Sequence, residues 1–214
     1  AECPPTFGSD PARMRSFIAG GDEAVFLAKE GAEDLELEGG EAAAGLGPDD
    51  LLIGLSASSV TLYVHGALLR ARENGARTIL LTCAASEGLE KLADLVIGLA
   101  TGPEILTGST RLKAGSATKA ALNAITTTAM VRLGKTYGNL MVDLRPGSAK
   151  LRDRARRIIE AAAEVSSDEA DALYLAADED VKVAILMARL EVSAGAARQR
   201  LKAADGHLRR ALSG

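Results

Sequence analysis

Leu51-Leu52-Ile53-Gly54-Leu55-Ser56-Ala57-Ser58-Ser59 is the stretch on which the fold turns. Its first five residues are apolar or small with no polar alternation, which predicts a strand buried on both faces of a parallel sheet. The serine-rich tetrapeptide then breaks the run. A helical pattern follows from Thr61 to Asn74, with Gly75 placed to cap its end. Downstream the rhythm repeats. Arg77 to Cys83 gives a second strand, Ser86 to Leu92 a short helical piece, and Asp94 to Ala100 a third strand. Strands alternating with helices over short connections predict an α/β fold, a three-layer αβα parallel sheet of Rossmann or flavodoxin-like type.

Working outward, Arg15-Ser16-Phe17-Ile18-Ala19 reads as a short strand stopped by Gly20-Gly21. Asp22 to Glu33 reads as a helix with Ala24, Phe26, Leu27 and Ala28 on its apolar face. Glu36 to Asp50 reads as a loop, because Gly39-Gly40, Gly45, Gly47 and Pro48 interrupt it. From Leu112 the period turns helical. A long helix over Lys113–Leu133 ends at Gly134, the loop Tyr137-Gly138-Asn139-Leu140 follows, and another helix covers Ala149–Ala163. Ser167-Asp168-Glu169 has the chemistry of a helix start. Short helices are predicted over Glu169–Leu175, Asp180–Leu190, Ala194–Ala204 and Gly206–Leu212. The expected division is a sheet domain over 1–164 and a small C-terminal helical module over 165–214.

Composition narrows the function classes. The 214-residue chain is 47% hydrophobic and 25% charged, ordinary for a globular protein. Its net charge of −4 gives no electrostatic footprint for nucleic acid, and 3% aromatics leave little to stack on bases. No run approaches the ~20 apolar residues of a membrane span. Cys3 and Cys83 form no CxxC pair, and two thiols fit a reducing, cytoplasmic setting. Ala1 rather than Met at position 1 points to a natural start further upstream.

Three constellations could carry chemistry. Ser56, Ser58 and Ser59, with Thr61, lie between the carboxyl end of a strand and the start of a helix. Ligands of parallel sheets collect there, and a helix N-terminus attracts anions. The segment reads equally as a phosphate cradle or as a serine-rich turn with ordinary helix capping. The second is Gly102 to Lys113, again between strand and helix, gathering Glu104, Ser109, Thr110, Arg111 and Lys113. Cations oppose the dipole at a helix N-terminus, so Arg111 and Lys113 favour an anion or sugar site over a plain surface loop. Third, Glu2 sits beside Pro4-Pro5 and Glu33 near Gly31. Two carboxyls in one pocket could divide acid and base roles, but each alone reads as a surface charge. His65 and His207 complete no catalytic triad or metal spacing, and neither a dinucleotide fingerprint nor a Walker loop appears.

The run Gly102-Pro103-Glu104-Ile105-Leu106-Thr107-Gly108-Ser109-Thr110-Arg111-Leu112-Lys113-Ala114-Gly115-Ser116-Ala117-Thr118-Lys119 closely resembles the signature shared by N-acetylmuramic acid 6-phosphate etherases and the glucokinase regulatory protein. Glu2-Cys3-Pro4-Pro5-Thr6-Phe7-Gly8, Glu30-Gly31-Ala32-Glu33-Asp34 and Tyr137-Gly138-Asn139-Leu140-Met141-Val142-Asp143 are similar to the bacterial etherase branch. The resemblance implies a sugar-isomerase (SIS) domain, a UBA-like helical tail, and a homodimer acting on a sugar phosphate without a cofactor. It implies a lyase that releases D-lactate from N-acetylmuramic acid 6-phosphate and leaves N-acetylglucosamine 6-phosphate, in cell-wall recycling. The family's two carboxylates match Glu2, read as proton donor to the leaving group, and Glu33, its acid–base partner. The alternative within the same resemblance is a sugar-phosphate-binding regulator without catalysis. An aldose–ketose isomerase is a third reading, which the opening motif does not suggest.

Two departures stand out. The resemblance implies a further N-terminal Gly/Ser/Thr-rich phosphate loop that precedes the first residue here. It also implies Ala-Ser-Gly-Arg-Thr-Pro-Tyr after the first buried strand, whereas this chain reads Ala57-Ser58-Ser59-Val60-Thr61-Leu62-Tyr63. Loss of an arginine beside a phosphate loop removes a charge-assisted contact of about 1.5–3 kcal/mol. Weak activity or none, for the polypeptide as it stands, is the expectation.

Overall fold

The computed structural model describes residues 2–144 and 148–213. Two compact units emerge, one of Ser16–Asn123 and one of Ala1–Arg15 with Ala124–Gly214.

The Ser16–Asn123 unit is built on three parallel strands, β1 (Leu51–Leu55), β2 (Arg77–Thr82) and β3 (Leu95–Gly98), in the order β1-β2-β3. Leu51 pairs with Arg77 and Leu55 with Leu81; Ile79 pairs with Leu95 and Thr82 with Gly98. Helix α3 (Leu62–Glu73) packs on β1 and β2, and α2 (Glu36–Ala42) packs on α3. Alternation along the strands sends Leu52, Leu80 and Val96 to one face, where they pack with Ala67, Leu68 and Ala71 of α3. Leu68 and Leu80 are fully buried, each contributing on the order of 1.5–3 kcal/mol. Gly54 lets α3 lie close, since a Cβ there would come within 2.7 Å of Val64 Cγ1.

The other face departs from the sequence expectation. Leu51 (53% exposed), Leu55 (42%) and Leu95 (51%) face solvent, so β1 is buried on one face rather than two. Leu81, on that same side, is buried.

Three further expectations fail upstream of β1. Residues 15–19 form no strand; among the described residues the sheet holds only β1, β2 and β3. Lacking a ladder partner, this stretch runs into Gly20 and Gly21, whose φ values of 82° and 73° turn the chain sharply. Asp22 to Glu33 gives two short 3-10 turns, Asp22–Val25 and Ala32–Asp34, instead of a helix. Its apolar residues find no core: Val25, Phe26 and Leu27 are 64%, 86% and 71% exposed. A short helix that buries no face does not repay its ordering entropy. Conversely, part of the expected loop Glu36–Asp50 is α2. Gly39 and Gly40 do not break it. A Cβ on Gly39 would lie 1.9 Å from the Tyr63 carbonyl oxygen, and one on Gly66 would lie 2.0 Å from that of Glu36. These glycines permit a backbone-to-backbone crossing of α2 and α3.

In the second unit, α1 (Cys3–Phe7) carries Pro4 and Pro5 in its first turn and ends at Gly8 in the left-handed conformation. The chain leaves the first unit within α4 (Lys113–Arg132), then forms α5 (Ala149–Ala163), α6 (Ser167–Ala176), α7 (Val181–Leu190), α8 (Ala194–Ala203) and α9 (Leu208–Ser213). All five later helices match the predicted ones to within two or three residues. Their starts have a common cause: Ser148, Ser166, Asp180 and Ser193 each accept a first-turn N–H at the head of α5 to α8. The capping residue of α6 is Ser166, one before the expected position, and Glu169 completes a reciprocal capping box. Ile159, Ile185, Leu186 and Leu208 form the centre of this core with Val142 and Val183. Buried Lys182 donates to Asp143 Oδ2 and to the Gly206 carbonyl, both at 2.8 Å, and Lys135 reaches the same Asp143 oxygen at 2.8 Å. That carboxylate thus fastens the Tyr137–Asp143 loop to the start of α7.

Candidate active site

Parallel strands deliver their carboxyl ends to one edge of the sheet, and the loops leaving that edge carry most of the predicted site. Ser56 leaves β1 with its N–H donated to the Leu81 carbonyl, while Cys83 N donates to the Ala57 carbonyl. The serine turn is therefore laced to the end of β2. Within it the hydroxyls part ways. Ser56 Oγ lies 2.8 Å from Thr61 Oγ1 and is 4% exposed, so these two satisfy one another. Ser59 is 5% exposed and takes φ 67°, a left-handed conformation unusual for serine.

Ser59 is held there by a closed circuit. Its hydroxyl donates to the Ala84 carbonyl at 2.8 Å and accepts from Thr82 Oγ1 at 2.6 Å, while Thr82 Oγ1 accepts from Ala84 N–H at 3.2 Å. His65 Nε2–H, from the second turn of α3, donates to the Ser59 carbonyl at 2.7 Å. The sequence offers Ser56, Ser59 and Thr61 as phosphate ligands. The structure turns these hydroxyls toward partners inside the protein and leaves Ser58 exposed at the turn. Sequence reasoning missed Thr82 and read His65 as a packing or surface residue of its helix. Thr82 closes an apolar strand at the end where ligands collect, a usable signal. His65 follows Ser59 by six residues, and only the turn geometry makes them meet.

The second loop leaves β3. Ser109 is half-buried and Thr110 and Arg111 are exposed before α4 begins at Lys113. Glu104 folds back on α4: its Oε1 accepts from Ala114 N at 2.9 Å and its Oε2 from Lys113 N at 3.0 Å. The Ala114 N–H, joined by that of Lys113 and by the Lys113 ammonium, holds the Glu104 carboxyl below the usual range. Glu104 is thus an ionised internal cap at the site's second helix.

Glu33 lies exposed on the 3-10 turn Ala32–Asp34, which packs against α3 beyond the serine turn and leads into α2. Glu33, the serine turn and the Gly102–Lys113 loop all belong to the Ser16–Asn123 unit. Glu2, exposed at the head of α1, belongs to the other unit. Among the described residues no cluster of His, Cys, Asp and Glu is spaced to hold a metal ion, and no helix is long and apolar enough to cross a membrane.

Comparison with known proteins finds relatives over essentially the whole chain. Residues 26–128 match the SIS domain family. An N-acetylmuramic acid 6-phosphate etherase of Streptomyces avermitilis is 48% identical over 215 residues, covering 100% of this chain and 69% of the relative. The etherase of Rubrobacter xylanophilus is 50% identical over 213 residues (99% and 70%), and that of Salmonella paratyphi B is 46% identical over 214 residues (99% and 72%). These matches span 99–100% of its residues, and the chain belongs to the N-acetylmuramic acid 6-phosphate etherase family.

Proposed function

We propose that the chain is a carbon–oxygen lyase that cleaves the D-lactyl ether of N-acetylmuramic acid 6-phosphate, giving N-acetylglucosamine 6-phosphate and D-lactate in amino-sugar recycling. The observation that carries this is the 48–50% identity to etherases over essentially the whole chain.

The chemistry asks for three things. A base removes the proton at carbon 2, an acid protonates the departing lactate oxygen at carbon 3, and water then adds across the resulting double bond. Two carboxyls suffice when their environments keep one protonated and one ionised. Glu2 is assigned as donor to the leaving group and Glu33 as its acid–base partner. Ser58, Ser109, Thr110, Arg111 and Lys113 are assigned to the sugar phosphate, with Ser56, Ser59 and Thr61 holding the turn that presents Ser58. Action in the cytoplasm as a homodimer, without cofactor, belongs to the same reading. So does a separate helical module over 165–214.

Release of D-lactate, followed by a coupled dehydrogenase, tests the proposal. Glu2→Gln and Glu33→Gln should each lower kcat by about 10²–10⁴-fold, the usual loss of a general acid or base. Undiminished turnover in either variant removes that residue from the mechanism, and no lactate release by the unmodified protein removes the reaction.

A further inference from the structure

The start of α4 is where a phosphate would be expected to settle, with free N–H groups and the positive end of the helix dipole. That place is taken. Both oxygens of Glu104 are committed to the Lys113 and Ala114 N–H groups, at 3.0 and 2.9 Å. Between the carboxylate and the helix the chain runs out and back through Ile105 to Leu112. Its tip stands in solvent, Ile105 being 90% and Leu106 62% exposed. Local turns shape the loop, with Ser109 N donating to the Leu106 carbonyl and Leu112 N to that of Ser109, and Gly108 at φ 84°. None of these ties it to the sheet. The two bonds of Glu104 join its first residue to the helix it leads into, with Gly115 N to the Thr110 carbonyl at the other limb.

We propose that Glu104 is a positioning residue for substrate binding rather than a phosphate ligand. Its carboxylate occupies the N-terminus of α4, excludes the phosphate from that spot, and clamps the loop so that Ser109, Thr110 and Arg111 face the ligand. The inference rests on the proposed reaction only in naming the ligand as a sugar phosphate. A carboxylate in hydrogen-bond contact with the helix cannot share the same two N–H groups with a phosphate dianion. Any substrate phosphate therefore uses the loop's hydroxyls and cations instead. The clamp acts by geometry and never touches the reacting carbons, so it should govern binding and spare the chemical step.

Steady-state kinetics and calorimetry on the whole protein test this. Glu104→Gln keeps the shape but offers one acceptor where there were two. Loss of one charge-assisted bond should raise KM for N-acetylmuramic acid 6-phosphate roughly tenfold or more, with kcat within about threefold. Glu104→Asp, which keeps the carboxylate, should recover part of that loss. In Glu104→Ala the vacated helix start should bind inorganic phosphate roughly tenfold more tightly than the unmodified protein does. An unchanged KM in Glu104→Gln with a lowered melting temperature would mean a stability cap only and overturn the proposal. Unchanged phosphate affinity in Glu104→Ala would overturn it too. The phosphate titration needs no turnover, so absence of lactate release by the unmodified protein would sink the reaction without touching this inference.

Discussion

Replacing Gly39 by alanine sets two known effects against each other. Alanine in a helix interior is favoured over glycine by about 1 kcal/mol, so on propensity alone Gly39→Ala stabilises α2. At the crossing with α3, however, the new Cβ would stand 1.9 Å from the Tyr63 carbonyl oxygen and 2.7 Å from its carbon. These are backbone atoms, which have no rotamer to retreat into. Contact becomes ordinary at 3.4 Å, so α2 must withdraw from α3 by about 1.5 Å. Overpacking of this kind costs about 1–3 kcal/mol or more. The clash should win, leaving a net loss of up to about 2 kcal/mol and a melting temperature lower by up to about 8 °C in a chain of 214 residues. The displacement also reaches the site. Glu33 sits on the turn that leads into α2, and the serine turn leads into α3. A misplacement near 1 Å can cost on the order of 10²-fold in rate, so kcat for lactate release should fall by about 10–100-fold. Gly66→Ala, whose Cβ would meet the Glu36 carbonyl at 2.0 Å, should behave alike. The double variant should lose less than the sum, because one withdrawal relieves both contacts. A Gly39→Ala protein that melts at or above the parent temperature with unchanged kcat would refute the crossing as the organiser of the site.

Val60 is 69% exposed beside the serine turn; Val60→Arg should lower KM for the sugar phosphate roughly tenfold by adding a charge-assisted contact, and an unmoved KM would refute a phosphate at that position. Asp94 accepts from Thr78 N at 2.8 Å, the main reason its carboxyl titrates below the usual range. A depressed folded value stabilises above the unfolded one, near 3.9, and is lost as pH falls through the folded one. Asp94→Asn should therefore be less stable than the parent at pH 7, with a gap in melting temperature that narrows below about pH 4. Asp143→Ala strands Lys182, which is 5% exposed, and should cost about 3–5 kcal/mol in denaturant unfolding. Lys182→Met should cost less, because Lys135 still pairs with Asp143.

Much of the architecture was readable from local pattern. β1 to β3, α3 and every helix from α4 onward follow apolar period, capping residues and glycine stops, all properties of neighbours in sequence. What escaped depends on distant partners. Gly39-Gly40 has the composition of a loop, and only the approach of Tyr63 shows why those glycines sit inside a helix. Phe26 and Leu27 have the spacing of a helix face, yet the pattern cannot reveal that no core meets them. The site divides the same way. That Ser56–Ser59 and Gly102–Lys113 leave strands at the ligand-collecting edge was legible. The commitments of Ser59 to Thr82, 23 residues on, and of Glu104 to the head of α4 were not. Glu2 and Glu33 were singled out by resemblance alone, since nothing in their spacing distinguishes them from surface charges.

With β1, β2 and β3 all pointing one way, the opposite rim of the sheet carries no proposed chemistry. The connections there are short and self-contained: Gly47 N–H rests on Asp50 Oδ2, and the Asn74–Ala76 bend closes on the last turn of α3. An inserted affinity tag or fluorescent reporter at Asn74–Gly75 would sit a strand's length from the serine turn. Catalysis could then be watched from a handle that leaves substrate access untouched. Variation that retunes which sugar phosphate is accepted has a natural home on the other rim, where loops can change without rewriting the strands beneath them.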